Sequence, residues 1–248
     1  MFIGVRNAGE GRKERVIAKE MSRRGLRTRV AVVATVIGLA VALVGVAQIP
    51  ADQTAEAAAD HHHSKAKVRT KRAIQLRNEM RKLWEDHVTW TRMFIVSAIA
   101  DLPDIDATAT RLLSNQDHIG DAIKPYYGHA AGEKLSALLR EHILIAADVI
   151  TAAKNGDTAG VDDAIEQWRV NGKEIADFLH AANPANWPKS EMRAMMKDHL
   201  DMTLTEAVAR LNSDWDADIA AYDGIHLQAL HMADMLSFGI NKQFPGRF

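Results

Sequence analysis

No cysteine occurs among the 248 residues. That excludes disulfides, zinc–thiolate sites, iron–sulfur clusters, thiol catalysis and the lipidated cysteine of a bacterial membrane anchor. Aromatic residues are sparse at 6%, and β-branched runs are almost confined to one stretch near the start. Ala and Leu are abundant instead, which favours helices over sheet. A glycine-rich phosphate loop is missing, and so is the alternation of strand and helix patterns that nucleotide-binding folds need. The chain also lacks a surplus of positive charge. Residues 1–29 hold nine Lys/Arg against three acids, and the remainder holds 22 against 29. A mildly acidic body argues against nucleic acid as a partner.

One long apolar run is present. Residues 30–47 carry no charge and follow Arg23, Arg24, Arg27 and Arg29. At about 1.5 Å per residue the run spans roughly 27 Å, just enough to cross a hydrocarbon core. The arginines hold their end in the cytoplasm, so whatever follows Pro50 is expected outside. Two readings remain open. Residues 30–50 are either an uncleaved transmembrane signal-anchor, with 1–29 as its basic cytoplasmic flank, or a signal peptide. Cleavage would fall after Ala47 or within Ala57, Ala58 and Ala59. Residues 51–67, small, polar and charged, with His61, His62 and His63, read as a linker.

From 68 to 248 the pattern predicts an all-α domain: an up-and-down array of about six helices in three repeated hairpins. The first helix runs over about 68–100. The second starts near Asp106 or Thr108 as N-cap and fades before Pro125. The third covers about 131–154 and stops at Asn155, Gly156 and Asp157. The fourth runs over 158–182, the fifth takes Pro188 in its first turn and continues to Leu211, and the sixth reaches about Phe244. Joints this short connect antiparallel neighbours.

The three hairpins resemble one another. Asp86 with His87, Glu141 with His142, and Asp198 with His199 each stand mid-way along an odd-numbered helix. On the even helices, Asn115 with Asp121, Asn171 with Asp177, and Gln228 with Asp234 share one six-residue spacing. Successive His lie 55 and 57 residues apart, and successive Asp 56 and 57. This is an internal repeat. His142 and Asn171 are equidistant from the turn between them, as are His199 and Gln228, and His87 and Asn115. Each His is therefore expected to face an amide across its hairpin. Helical periodicity puts these groups inside, where an unpaired polar group costs about 1–3 kcal/mol. The same symmetry sets Asp121 level with His142, and Asp177 level with His199. It predicts three staggered rungs, because each step displaces the level by about 9 Å.

Histidine, carboxylate and amide together are also metal-ligand chemistry. The candidate ligands are His87, His142, Asp177, His199, His226, His231 and Asp234, with Asn115, Asp121, Asn171 and Gln228 as polar partners. A divalent metal is the cofactor such a set implies. Neither Glu-x-x-His nor His-Glu-x-x-His occurs, and neutral His also serves as a buried hydrogen-bonded group. Met192, Met195, Met196, Met202, Met232 and Met235 would suit copper, but their helical spacing matches core packing. Arg92 is expected to pair with a neighbouring acid rather than hold an anion. No residue set supports a reaction class.

Residues 83–92, 141–148 and 231–237 resemble a bacterial helical family whose members are often labelled glycosyltransferase or acetylglutamate kinase. The resemblance covers roughly 80–248 and implies one intact helical domain. The functional expectation is a membrane-tethered or exported scaffold, partnered by another protein or by itself. The alternative is an extracytoplasmic domain that holds a metal or small ligand, and an enzyme comes third.

Overall fold

The computed structural model describes residues 71–248. The expectations for 1–29, 30–50 and 51–67 lie outside the described residues. Six α-helices follow: α1 (Lys71–Ile99), α2 (Ile105–Tyr127), α3 (His129–Lys154), α4 (Thr158–Ala182), α5 (Lys189–Leu211) and α6 (Trp215–Gln243). A 3-10 turn, Pro245–Arg247, comes after them. Among the described residues there is no strand, and no helix is long and apolar enough to cross a membrane.

Each helix forms around a stripe at three- and four-residue spacing. In α1 the buried stripe is Leu76, Met80, Trp84, His87, Val88 and Ile95, the pattern that turns one face inward. The turns within the three hairpins are copies of one device. Asp101, Gly156 and Ser213 take positive φ, at 52°, 68° and 59°. The next residue then donates its N–H to a carbonyl five positions back: Leu102 to Ser97, Asp157 to Ala152, and Asp214 to Ala209. This is a Schellman closure of the helix end. Asp157 and Asp214 go on to cap α4 and α6, accepting from the backbone N–H of Gly160 and Ala217.

Three boundaries differ from expectation. α2 starts after Asp104, and Thr108 lies inside the helix with its hydroxyl turned back to the Ile105 carbonyl at 2.9 Å. The helix also runs through Pro125 in its last turn, where the missing N–H forfeits one bond to the carbonyl four residues back. Pro188 precedes the first helical residue of α5 rather than belonging to it. Between α2 and α3 the joint is Gly128 alone, at φ 86°.

Consecutive helices pack against one another, and α6 also packs against α1. The array is therefore a closed ring. At the seam between α2 and α3 the backbones come very close. A Cβ on Gly120 would collide with the Gly132 carbonyl and Ser136, and one on Gly132 would collide with the Gly120 carbonyl. The corresponding positions on α4 and α6 are Ala176 and Ala233, both wholly buried.

The interior is one large core with a smaller one beside it, around Phe94, Ile95, Leu112, Ile143 and Ile150. Met192, Met196 and Met232 are buried in the large core, and Met195, Met202 and Met235 pack against it. Packing is thus the observed role of the methionine stripe.

Candidate functional site

The repeat brings three histidines together. His87, His142 and His199 are 2%, 2% and 4% exposed. The His199 ring centroid lies 5.7 Å from that of His87 and 6.2 Å from that of His142. The expected staircase is therefore replaced by a single layer. The reason lies in the joints between hairpins. Asn115 stands thirteen residues before Gly128 and His142 fourteen after it. Asn171 and His199 flank the centre of the 183–188 joint just as evenly. Placing those joints a few residues further along the chain displaces the levels and produces false rungs.

Within each hairpin an amide orients the imidazole. Nδ1 of His142 lies 2.9 Å from Oδ1 of Asn171, Nδ1 of His199 lies 3.1 Å from Oε1 of Gln228, and Nδ1 of His87 lies 3.2 Å from Oε1 of Gln116. Each of these pairs is 29 residues apart. Asn115, expected opposite His87, is 28 away, so the constant offset was the signal that pointed to Gln116.

The amide N–H groups donate to main-chain carbonyls four residues before each His. Asn115 reaches Leu83 at 3.1 Å, Asn171 reaches Leu138 at 3.1 Å, and Gln228 reaches Met195 at 3.0 Å. In the first hairpin two residues share the work that one does elsewhere. Asn115 holds the carbonyl, Gln116 holds the imidazole, and Gln116 Nε2 donates to Asn115 Oδ1 at 3.2 Å.

These donations fix the chemistry of the rings. An amide whose N–H faces a carbonyl presents its oxygen to the imidazole, so Nδ1 carries the proton and donates. Nε2 is then an unprotonated lone pair. Burial pushes all three imidazoles below their ordinary value, His142 to about 3, and the neighbouring rings push His87 and His142 further in the same direction. The layer is neutral. Trp84 stands edge-on to His87 at 5.6 Å and Trp168 leans on His142 at 5.1 Å. Both indole N–H groups are buried without a partner among the described residues.

The other candidate ligands lie elsewhere. Asp177 is held at the surface by Arg193 and Lys189, at 2.6 and 3.4 Å. Asp121 pairs with Lys124 at 2.8 Å. Both stand nearer the joints than the histidine layer does. Asp234 takes a bidentate bond from Arg77 and a third from Arg81. His226 faces Glu85 at 3.2 Å, and His231 is exposed. The acids preceding each His point outward: Asp86 pairs with Lys82 and Arg111, and Glu141 and Asp198 are exposed. Among the described residues no three His, Asp or Glu side chains have their donor atoms at metal-ligand spacing.

A second polar layer lies on the Asp101 and Ser213 side of the histidines. Arg92 bonds Glu206 at 2.7 Å and both oxygens of Asp218 at 2.8 and 3.0 Å, and Arg210 adds a bond to Asp218 at 3.2 Å. Glu206 and Asp218 are 2% and 1% exposed. Burial pushes Glu206 up to about 7 against the pull of Arg92. The Arg92 guanidinium is held charged chiefly by its bond to Asp218. Arg92 therefore pairs with acids, though with ones 114 and 126 residues away rather than with neighbours in the chain.

On the other side of the histidines lies a narrow cavity whose lining, including Met80, Trp84, Ile119, Leu139, Ile175 and Trp187, has no exposed polar surface. None of the three His lines it. Comparison with protein-family models, curated proteins and solved structures finds no match.

Proposed function

We propose that residues 68–248 form a scaffold or interaction domain held outside the cytoplasm. It is tethered to the cytoplasmic membrane by the apolar segment of 30–50 or released after that segment is cleaved. The observation that carries this reading is the contrast between a closed, hydrogen-bonded interior and one apolar stripe on the outer face of α6. Trp215, Ile219 and Leu227 are 51%, 53% and 68% exposed, and at four- and eight-residue spacing they fall within an arc of about 120° around the helix, with the exposed Asp223 between the second and third. Apolar side chains gathered in this way mark a surface for another protein or a second copy. The basic flank before residue 30 supports the orientation.

Two measurements test the proposal. Protease added to intact spheroplasts is expected to degrade the domain, and a protected domain would overturn the location. Trp215→Glu combined with Leu227→Glu is expected to abolish self-association or partner binding in sedimentation while the helical circular dichroism is unchanged. Unchanged association would overturn the assigned surface. The alternative, a domain holding a metal or small ligand between its hairpins, draws on the meeting of three imidazoles.

A further inference from the structure

We propose that the end of the ring at which α1 begins, beside Lys71, is a basic face that lies on the anionic headgroups of the membrane. That placement rests on the tethered form of the domain proposed above. Topology defines the face. Odd-numbered helices begin and even-numbered helices end where Lys71, Gly128, the 183–188 joint and the Pro245–Arg247 turn gather. Hydrogen bonds tie this end together: Tyr127 to Gln243 at 2.7 Å, Gln243 to the Ala182 carbonyl at 3.0 Å, and Arg247 to the Pro125 carbonyl at 2.6 Å. The hairpin turns at Asp101, Gly156 and Ser213 lie at the opposite end.

Charge is divided between the two ends. Over the outer eight residues of each helix and the segments adjoining them, 71–78, 120–136, 175–196 and 236–248 hold nine Lys/Arg against four Asp/Glu. At the opposite end, 92–112, 147–165 and 204–222 hold four against eleven. One end therefore carries +5 and the other −7, although the whole chain is close to neutral at −1. Helix dipoles do not offset this, because three N-termini and three C-termini meet at each end. A bundle polarised in this way orients in the field of a charged surface.

The point of entry says which surface it meets. Lys71, Arg72 and Lys242 are exposed at the basic end. From 61 to 70 the sequence holds three more bases and no acid, so positive charge continues toward the apolar run. Twenty residues, 51–70, join that run to Lys71, and a chain of that length reaches at most about 70 Å. Such a tether holds the domain at high local concentration beside the lipid, and it enters at the basic end. Each Lys or Arg brought to an anionic lipid surface strengthens the contact about fivefold. Aromatic rings, which suit the headgroup level of a bilayer, gather at the same end. Tyr126 stacks on Phe248 at 5.7 Å and Tyr127 meets Phe244 edge-on at 5.4 Å, all four partly exposed. A second copy docked head to tail would meet the same charge, but no tether brings its acidic end to this face.

The absence of cysteine permits a direct test on the full chain. Gly246→Cys marks the basic end, where nothing would meet a Cβ, and Ala159→Cys marks the acidic end; both positions are exposed. Each is labelled with an impermeant fluorescent donor after reconstitution into vesicles whose headgroups carry an acceptor. The vesicles are phosphatidylcholine alone, or equal parts phosphatidylcholine and phosphatidylglycerol. Energy transfer from the 246 label is expected to rise on the anionic vesicles and to exceed that from the 159 label. It should return to the phosphatidylcholine level at about 1 M salt, where charges are screened beyond roughly 3 Å. Lys71→Glu, Arg72→Glu and Lys242→Glu together should lower the docked-to-free ratio roughly 100-fold or more and abolish the rise. Equal transfer from the two ends, or transfer from 246 that ignores lipid charge, would overturn the face. Salt-sensitive pairing of 246 with 159 between chains, without anionic lipid, would overturn it in favour of a second copy. Flotation with phosphatidylcholine vesicles reports the tether separately. A chain that leaves those vesicles yet floats with the anionic ones overturns the tether and supports the basic face, and one that floats with neither overturns both.

Discussion

His142 and Arg92 are both polar groups drawn into an apolar bundle, and the ring accommodates them differently. The histidine layer is neutral, is repeated three times, and closes each pair within one hairpin at a separation of 29 residues. The arginine layer is charged, occurs once, and closes across the ring at separations of 114 and 126. Neutral pairs need only a donor and an acceptor. Two buried carboxylates need a guanidinium that still reaches water, and Arg92 and Arg210 each keep 21% of their side chains exposed. The first layer sets the register of every hairpin, and the second locks α1 to α5 and α6.

Acid should separate the two layers most strongly. Below the ordinary imidazole value of 6.5 the unfolded chain takes up protons on His87, His142 and His199 while the folded chain does not. Stability therefore falls as pH drops, by at most about 1.4 kcal/mol per pH unit for each group. Glu206 acts in the opposite sense. Folded, it keeps its proton up to about 7; unfolded, it loses it above 4.5. It therefore favours the fold as pH drops through that range. Three groups outweigh one, and urea midpoints between pH 6.5 and 5 are expected to fall steeply. Glu206→Gln should make the fall steeper. A flat profile would mean that the imidazoles are not held neutral.

Single substitutions sharpen the contrast. Asp218→Ala leaves Arg92 and Arg210 without their main partner beside a buried Glu206, and should cost about 3–5 kcal/mol in denaturant unfolding. His142→Ala leaves the Asn171 oxygen unpaired and opens a cavity beneath Trp168, for about 2–4 kcal/mol. If the first change costs less than the second, the charged layer is not the stronger lock. Asp177→Ala lies outside both layers, on an exposed pair with Arg193, and is expected to leave the denaturant midpoint essentially unchanged. A loss like that of His142→Ala would show that this carboxylate does reach the histidines.

The two layers also differ in how far they could be read from the chain. Asn155, Gly156 and Asp157 announce a helix end by residue type alone, and their counterpart at Asn212, Ser213 and Asp214 repeats it. That made the hairpins and the facing of His142 to Asn171 and His199 to Gln228 legible. By residue type Asn115 matches Asn171 and Gln116 does not, whereas register follows counting and not residue type. The single level of the histidines depended on the Gly128 joint, one residue long. Periodicity places a boundary less accurately than that, and an error of three residues in a joint becomes a full rung in height. The sequence around Arg92 suggests an acidic partner but not which one, since Glu206 and Asp218 stand 114 and 126 residues away and meet it only when the ring closes.

That closure has a consequence for the order in which the molecule can be made. Along the seam between α1 and α6, Arg77 meets Asp234 and Glu85 meets His226, at separations of 157 and 141 residues. Of the six described helices, α1 leaves the ribosome first and completes its polar contacts only when α6 arrives. Until then Arg92 has no Asp218, and the apolar flank of α1 has no cover. Such long-range pairing slows folding and leaves intermediates open to aggregation. A chain cut before α6 would lose far more than the last sixth of its core, and any cellular factor that attends its biogenesis would find its task on α1.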